Sequence, residues 1–98
     1  MHIKIHESYR KVVAFCDSEL IGKKFEEGKM QLDVRENFFK GEEISEEKAA
    51  AMLKSLALDD AIFNIVGNRA VNIAQEVGII EKDNIGKIQG VSFALVLL

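Results

Sequence analysis

The chain has 98 residues, a net charge of −3, an apolar fraction of 48% and a charged fraction of 30%. That suffices for one domain, residues 1–98, with a modest core, and is too little for two. The negative balance excludes a global electrostatic pull toward nucleic acid but is compatible with a local basic face. The one cysteine, Cys16, cannot form an internal disulfide and fits a reducing, cytoplasmic compartment. No apolar run follows Met1 as a secretory signal requires. The run from Val91 to Leu98, interrupted by Ser92, is too short to span a bilayer. No membrane partner is expected.

Ile3 and Ile5 alternate with His2, Lys4 and His6, the period of a half-buried strand. A polar turn, Glu7 to Arg10, leads to a second strand over Lys11–Cys16, so the two read as an antiparallel hairpin. Pairing Ile5 with Val12 and Ile3 with Ala14 would put Cys16 on the core side. Asp17 or Ser18 can cap a single helical turn ended by Gly22. Lys23 to Gly28 is charged around Phe25. Met30, Leu32 and Val34 alternate as the inward face of a third strand. Arg35 to Glu43 reads as a loop that folds Phe38 and Phe39 back onto the core.

Ser45 marks a helix start, with Glu46 and Glu47 in the favoured first turn. Ala49, Met52, Leu53 and Leu56 form its apolar stripe until Asp59-Asp60 interrupts it. Ala61–Val66 is apolar except for Asn64. Its Ile and Val content favours a strand over a helical turn. Gly67 then feeds a helix with Ala70, Val71, Ala74 and Val77 on one stripe, ended by Gly78. Ile85–Gln89 alternates as a strand, and Gly90 ends or bends it. Val91–Leu98 is apolar on both faces. It is either covered on both sides or an exposed edge that pairs with a second subunit.

Five places carry a chemical reading beside a plainer one. A strand entering a helix through Gly67 exposes unpaired N–H groups, so Gly67, Asn68 and Arg69 are candidates for binding a phosphate or carboxylate. One glycine is far short of a phosphate-loop fingerprint, and a glycine turn with Asn68 or Asn64 as a local cap is the stronger reading. Lys23, Lys24 and Lys29, with Phe25 for base stacking and Arg69, form a candidate nucleic-acid contact. Glu26 and Glu27 offset that charge, and a lysine-guarded edge strand explains the cluster better.

His2 and His6 share a strand face but stand about 13 Å apart at roughly 3.3 Å per residue. With Cys16 on the opposite face, no metal site is expected, and no cofactor is implied. Cys16 lacks the electropositive setting of a nucleophile, since Asp17 raises a thiol pKa. Glu42, Glu43, Glu46 and Glu47 read as a solvated helix start rather than a basic partner's site. Catalytic residues are not identifiable, and an enzyme is the less favoured reading.

The segment from Cys16-Asp17-Ser18-Glu19-Leu20-Ile21-Gly22 through Lys23-Lys24-Phe25-Glu26-Glu27-Gly28 comes first. Leu32-Asp33-Val34, Asn64-Ile65-Val66-Gly67-Asn68-Arg69-Ala70-Val71 and Ile88-Gln89-Gly90-Val91 follow it. Together these resemble the DUF424 family, small and mostly archaeal proteins of unassigned function, over nearly the whole chain. The apolar ending Phe93–Leu98 departs from the more polar tail expected of the family. The resemblance implies an archaeal cytoplasmic protein with a compact α+β fold, and a loose association with translation and RNA. It carries over no catalytic residue.

The expected fold is therefore α+β, a mostly antiparallel sheet of about five strands with two helices packed on one face. The leading functional expectation is a non-enzymatic module binding RNA or a translation-related protein. The alternatives are a small-ligand site or enzyme at the Gly67 turn, and a homodimer formed through Val91–Leu98.

Overall fold

Five apolar residues in succession, Val12-Val13-Ala14-Phe15-Cys16, are stable as a strand only where both faces are covered. The computed structural model, which describes residues 1–97, places them near the middle of a six-stranded sheet. The strands are β1 (His2–His6), β2 (Val12–Cys16), β3 (Lys24–Glu27), β4 (Met30–Asp33), β5 (Glu42–Glu43), β6 (Ile62–Val66), β7 (Gly86–Ile88) and β8 (Val91–Val96). The helices are α1 (Glu36–Phe39), α2 (Glu46–Leu58) and α3 (Asn68–Glu76). The main sheet runs β5-β1-β2-β6-β8-β7, and β3 and β4 form a separate two-stranded sheet. Among the described residues only the β2–β6 pair is parallel. The fold is α+β, with α2 and α3 on one face.

The helix-covered face carries Ile3, Val13, Phe15, Phe63, Ile65 and Ala94. Against it, α2 presents Ala49, Leu53 and Leu56, and α3 presents Ala70, Val71, Ile73 and Ala74. The Ser45 hydroxyl accepts from the Lys48 N–H at 3.2 Å, so α2 starts where the sequence places it. Truncating the fully buried Leu53 to Ala would cost about 2–5 kcal/mol.

The other face carries Ala14, Cys16 and Val66, covered by Val34, Phe39 and the inward side of the β3–β4 hairpin, where Phe25 pairs with Leu32. Three expectations change here. The β1–β2 register is shifted by one, with Ile5 opposite Val13 and Ile3 opposite Phe15. Cys16 therefore lies opposite His2, on the face away from α2 and α3. With both faces covered, hydrophobicity could not choose the register. Residues 30–34 are not a strand of the main sheet. The β3–β4 hairpin forms a second layer, and Met30 at its tip is 47% exposed rather than inward. Residues 35–43 are more than a loop, since they hold α1 and the edge strand β5.

The C-terminal strand is also not an outer edge. β8 lies between β6 and β7, and the Gln89-Gly90 turn joins β7 to β8 with both residues at positive φ, 50° and 79°. That is the conformation a tight two-residue hairpin requires, and glycine adopts it at little cost. Beyond Phe93, residues 94–96 have no ladder partner on the β7 side among the described residues. Leu98 lies outside the described residues.

Candidate functional site

The start of α3 is built as the sequence suggests, a strand entering a helix through glycine. The groups expected to face an anion face Asp17 instead. Its carboxylate accepts from the Arg69 N–H at 3.2 Å and the Ala70 N–H at 2.9 Å. Asp17 is 4% exposed, and its own N–H donates to the Val66 carbonyl at 3.1 Å. It caps α3 and makes no side-chain cap on the short helical turn Ser18–Leu20. Burial raises the Asp17 pKa, and the two helix N–H groups only partly oppose this.

Gly67 makes the approach possible. It has φ 114° and ψ 147°, backbone that glycine alone adopts readily, and a Cβ there would fall on the Asp17 carboxylate. Asn68 turns away to the β7–β8 hairpin, donating to the Gly90 carbonyl at 3.2 Å and accepting from the Ser92 N–H at 2.9 Å. Arg69 reaches Glu46 at the start of α2, at 2.8 and 3.0 Å, and that carboxylate holds its pKa up. All three residues proposed for an anion thus hold the chain to itself.

The candidate nucleic-acid residues divide. Lys23, Lys24 and Lys29 are exposed on or beside the β3–β4 hairpin, while Arg69 is tied to α2 on the helical side. On the outward face of the hairpin Lys24 stands opposite Asp33 and pairs with Glu26 at 3.6 Å. Phe25 is turned inward, packed with Leu32, rather than presented for stacking.

The acidic and metal candidates also find internal partners. Glu42 pairs with Lys48, Glu43 with His2 and Glu46 with Arg69. Among the described residues no three His, Cys, Asp or Glu side chains are grouped to hold a metal ion. Burial, and after it the Asp17 charge, push the Cys16 thiol up to about 12, so it is not an ionised nucleophile at neutral pH.

The feature that sequence reasoning missed is a groove of about 590 Å³ on the sheet face away from α2 and α3. Val66, Phe93 and Leu95 form its floor, and Leu32, Asp33, Arg35 and Phe38 its side. It exists because the hairpin crosses the sheet to β7 over Val66, Val91 and Phe93 and leaves Asn64 and Leu95, farther along β6 and β8, uncovered, with Leu95 59% exposed. At one end the His6 ring stacks on Phe38 with centroids 4.5 Å apart and planes 14° from parallel. His6 Nε2 donates to the Phe38 carbonyl at 2.9 Å, which fixes the ring.

In the floor stands Asn64, half-buried, with no hydrogen bond from its carboxamide to a described residue. Both its polar atoms reach solvent, since the Ser18 hydroxyl is the only shut-in side-chain polar atom without a partner among the described residues. Asn is disfavoured in strands. The signal was present in the sequence as the one polar residue in Ala61–Val66. Read alone, it suggested a cap.

The fold has a solved counterpart. An uncharacterised conserved protein from Methanopyrus kandleri matches with a TM-score of 0.84 at 23% identity, over 98% of this chain and 90% of that one. No curated protein matches. Residues 5–98 match the family model described as a protein of unknown function, DUF424. The resemblance in the Cys16–Gly28 and Asn64–Val71 segments is therefore one of descent as well as pattern, and the chain belongs to the DUF424 family.

Proposed function

We propose that this protein is a cytoplasmic small-ligand-binding module, and that its ligand occupies the groove over β6 and β8 rather than the Gly67 turn. The observation that carries this is the groove's make-up. An apolar floor with a few convergent polar groups, His6, Arg35 and Asn64, is the usual form of a ligand site, and its volume is in the usual range. At the start of α3 the N–H groups of Arg69 and Ala70 are already taken by Asp17.

The test is an NMR titration of the labelled protein against a fragment library. Shifts gathered on Asn64, Phe93 and Leu95, and abolished by Leu95→Asp, support the reading. Shifts confined to other surfaces overturn it.

A second reading is contact with RNA, alone or in the translation apparatus, through Lys23, Lys24 and Lys29. The exposure of all three on one hairpin favours it, and Glu26 and Asp33 beside Lys24 weaken it. It requires RNA affinity that falls steeply with salt and is lost in Lys23→Glu/Lys24→Glu. Salt-independent or absent binding removes it. Pairing with a second copy is confined by β7 to the short open side of residues 94–96. A monomer at micromolar concentration by light scattering removes that reading.

A further inference from the structure

Apart from the groove over β6 and β8, we infer that the protein has a second site, a cleft between α3 and β7 that binds a phosphate group through Lys82, Lys87 and Ser92. The cleft has a volume of about 610 Å³. From α3 it is lined by Asn68, Asn72 and Gln75, whose i, i+4, i+7 spacing puts them on one helix face. Opposite stand Lys87 of β7 and Ser92 of β8, with Lys82 from the turn before β7.

Lys87 and Ser92 are direct partners in the β7–β8 register, so their side chains share a face with Cβ atoms about 5 Å apart. Ala94, two residues on, belongs to the core beneath the helices, so that face is the one α3 covers. The Ser92 N–H donates to Asn68 Oδ1 at 2.9 Å, and its carbonyl accepts from the Gly67 N–H at 2.8 Å, which pins Ser92 to the start of α3. Ser92 is 8% exposed. Its hydroxyl is neither shut in nor paired among the described residues, so it opens into the cleft. A polar side chain buried to this degree ordinarily has a partner.

The charge of the cleft sets the sign of that partner. Lys82 and Lys87 form no ion pair among the described residues, and no carboxylate among them lines the cleft. Glu76 stands outside it and accepts from Asn72 Nδ2 at 3.3 Å. Glu81 and Asp83 flank Lys82 in the chain without pairing to it. Two free ammonium groups, a hydroxyl and the Gln75 carboxamide therefore supply donors to one acid-free space. A carboxylate brings two oxygens in one plane and a single charge. A phosphate ester brings three acceptor oxygens and up to two charges, which suits donors arriving from a strand pair, a turn and a helix. The Arg69 and Ala70 N–H groups play no part, because Asp17 holds them.

The experiment titrates the intact chain by calorimetry and NMR, at constant ionic strength, with ribose 5-phosphate, inorganic phosphate, ribose, acetate and a short single-stranded RNA. Ribose 5-phosphate and inorganic phosphate should shift the amides of Gln75, Lys87 and Ser92, and ribose and acetate should not. Lys82→Gln and Lys87→Gln should each weaken ribose 5-phosphate roughly tenfold. Ser92→Ala should weaken it about threefold without lowering the melting temperature, since the hydroxyl it removes is unpaired. Lys54→Gln, at an exposed lysine outside the cleft, should change nothing. If Ser92→Ala does not fold, the two exposed lysine variants decide.

Equal binding of ribose and its phosphate, equal binding of acetate, or a loss in Lys54→Gln as large as in Lys87→Gln overturns the inference. RNA carries the same chemical group. If it shifts the same amides more tightly per phosphate than ribose 5-phosphate, the phosphate is a nucleic-acid backbone's. The reverse order assigns it to a free phosphate ester, and the site stands in both cases. The groove over β6 and β8 is reported separately by Asn64 and Leu95, so failure at the cleft leaves that reading untouched.

Discussion

The start of α3 and the floor of the groove are three residues apart, at Gly67 and Asn64, and treat polar groups in opposite ways. At Gly67 the N–H groups of Arg69 and Ala70, the Asp17 carboxylate and the Asn68 carboxamide are paired within the chain. At Asn64 a carboxamide is held in a half-covered groove with nothing in the described chain to pair it. A site that looks functional by local pattern can be consumed by the fold. A residue that looks misplaced by local propensity can be what the fold leaves over for another molecule.

Substitutions on the two sides should separate sharply in stability. The largest effect is expected from Gly67→Ala, which adds a Cβ onto Asp17 and forces a glycine-only conformation. A loss of at least about 3 kcal/mol in urea denaturation is expected. A loss under about 1 kcal/mol would mean that Asp17 can move away freely.

Asp17→Ala should follow. It strips the cap from the Arg69 and Ala70 N–H groups, at about 2 kcal/mol. Asp17→Asn retains an acceptor and should cost less. It also isolates a pH effect. The pKa of Asp17 is raised in the fold, so the folded chain holds the proton to higher pH than the unfolded chain does. Relative to Asp17→Asn, the parent should gain stability as pH falls through the raised pKa toward the ordinary value of 3.8, and level off below it. A gain on raising the pH across that window would contradict the assignment.

Asn64→Leu should lie within about 1 kcal/mol of the parent or be more stable, since it removes an unpaired polar group. A large loss would show that Asn64 is structural after all. The smallest effect is expected from Arg69→Ala, whose pair with Glu46 is exposed. Its unfolding midpoint should be unresolved from the parent at high salt.

What could be read in the sequence was local. Alternation located β1 and β4, Ser45 located the start of α2, and Val66-Gly67 located the entry to α3. What could not be read depended on partners distant in sequence. Asp17 caps a helix that starts 51 residues later, and no spacing rule covers that distance. The β1–β2 register was lost because β2 is apolar on both faces, so a shift of one costs the pattern nothing. The groove was invisible because it is the part of β6 and β8 beside the second layer's path across the sheet, a matter of where the hairpin lies and not of any residue's type. Asn64 showed in the sequence as an anomaly, and only its surroundings gave the anomaly a meaning.

The parallel pairing of β2 with β6 has a consequence for how the chain is made. The β1–β2 hairpin leaves the ribosome early, but one side of β2 has no hydrogen-bonding partner until residues 62–66 follow. For that interval a strand of Val, Ala, Phe and Cys stands as an open, sticky edge. Completion is then abrupt, because the same step that docks β6 brings Gly67 up to Asp17 and starts α3. Fragments ending before Val66 should therefore aggregate rather than persist as half-folded units.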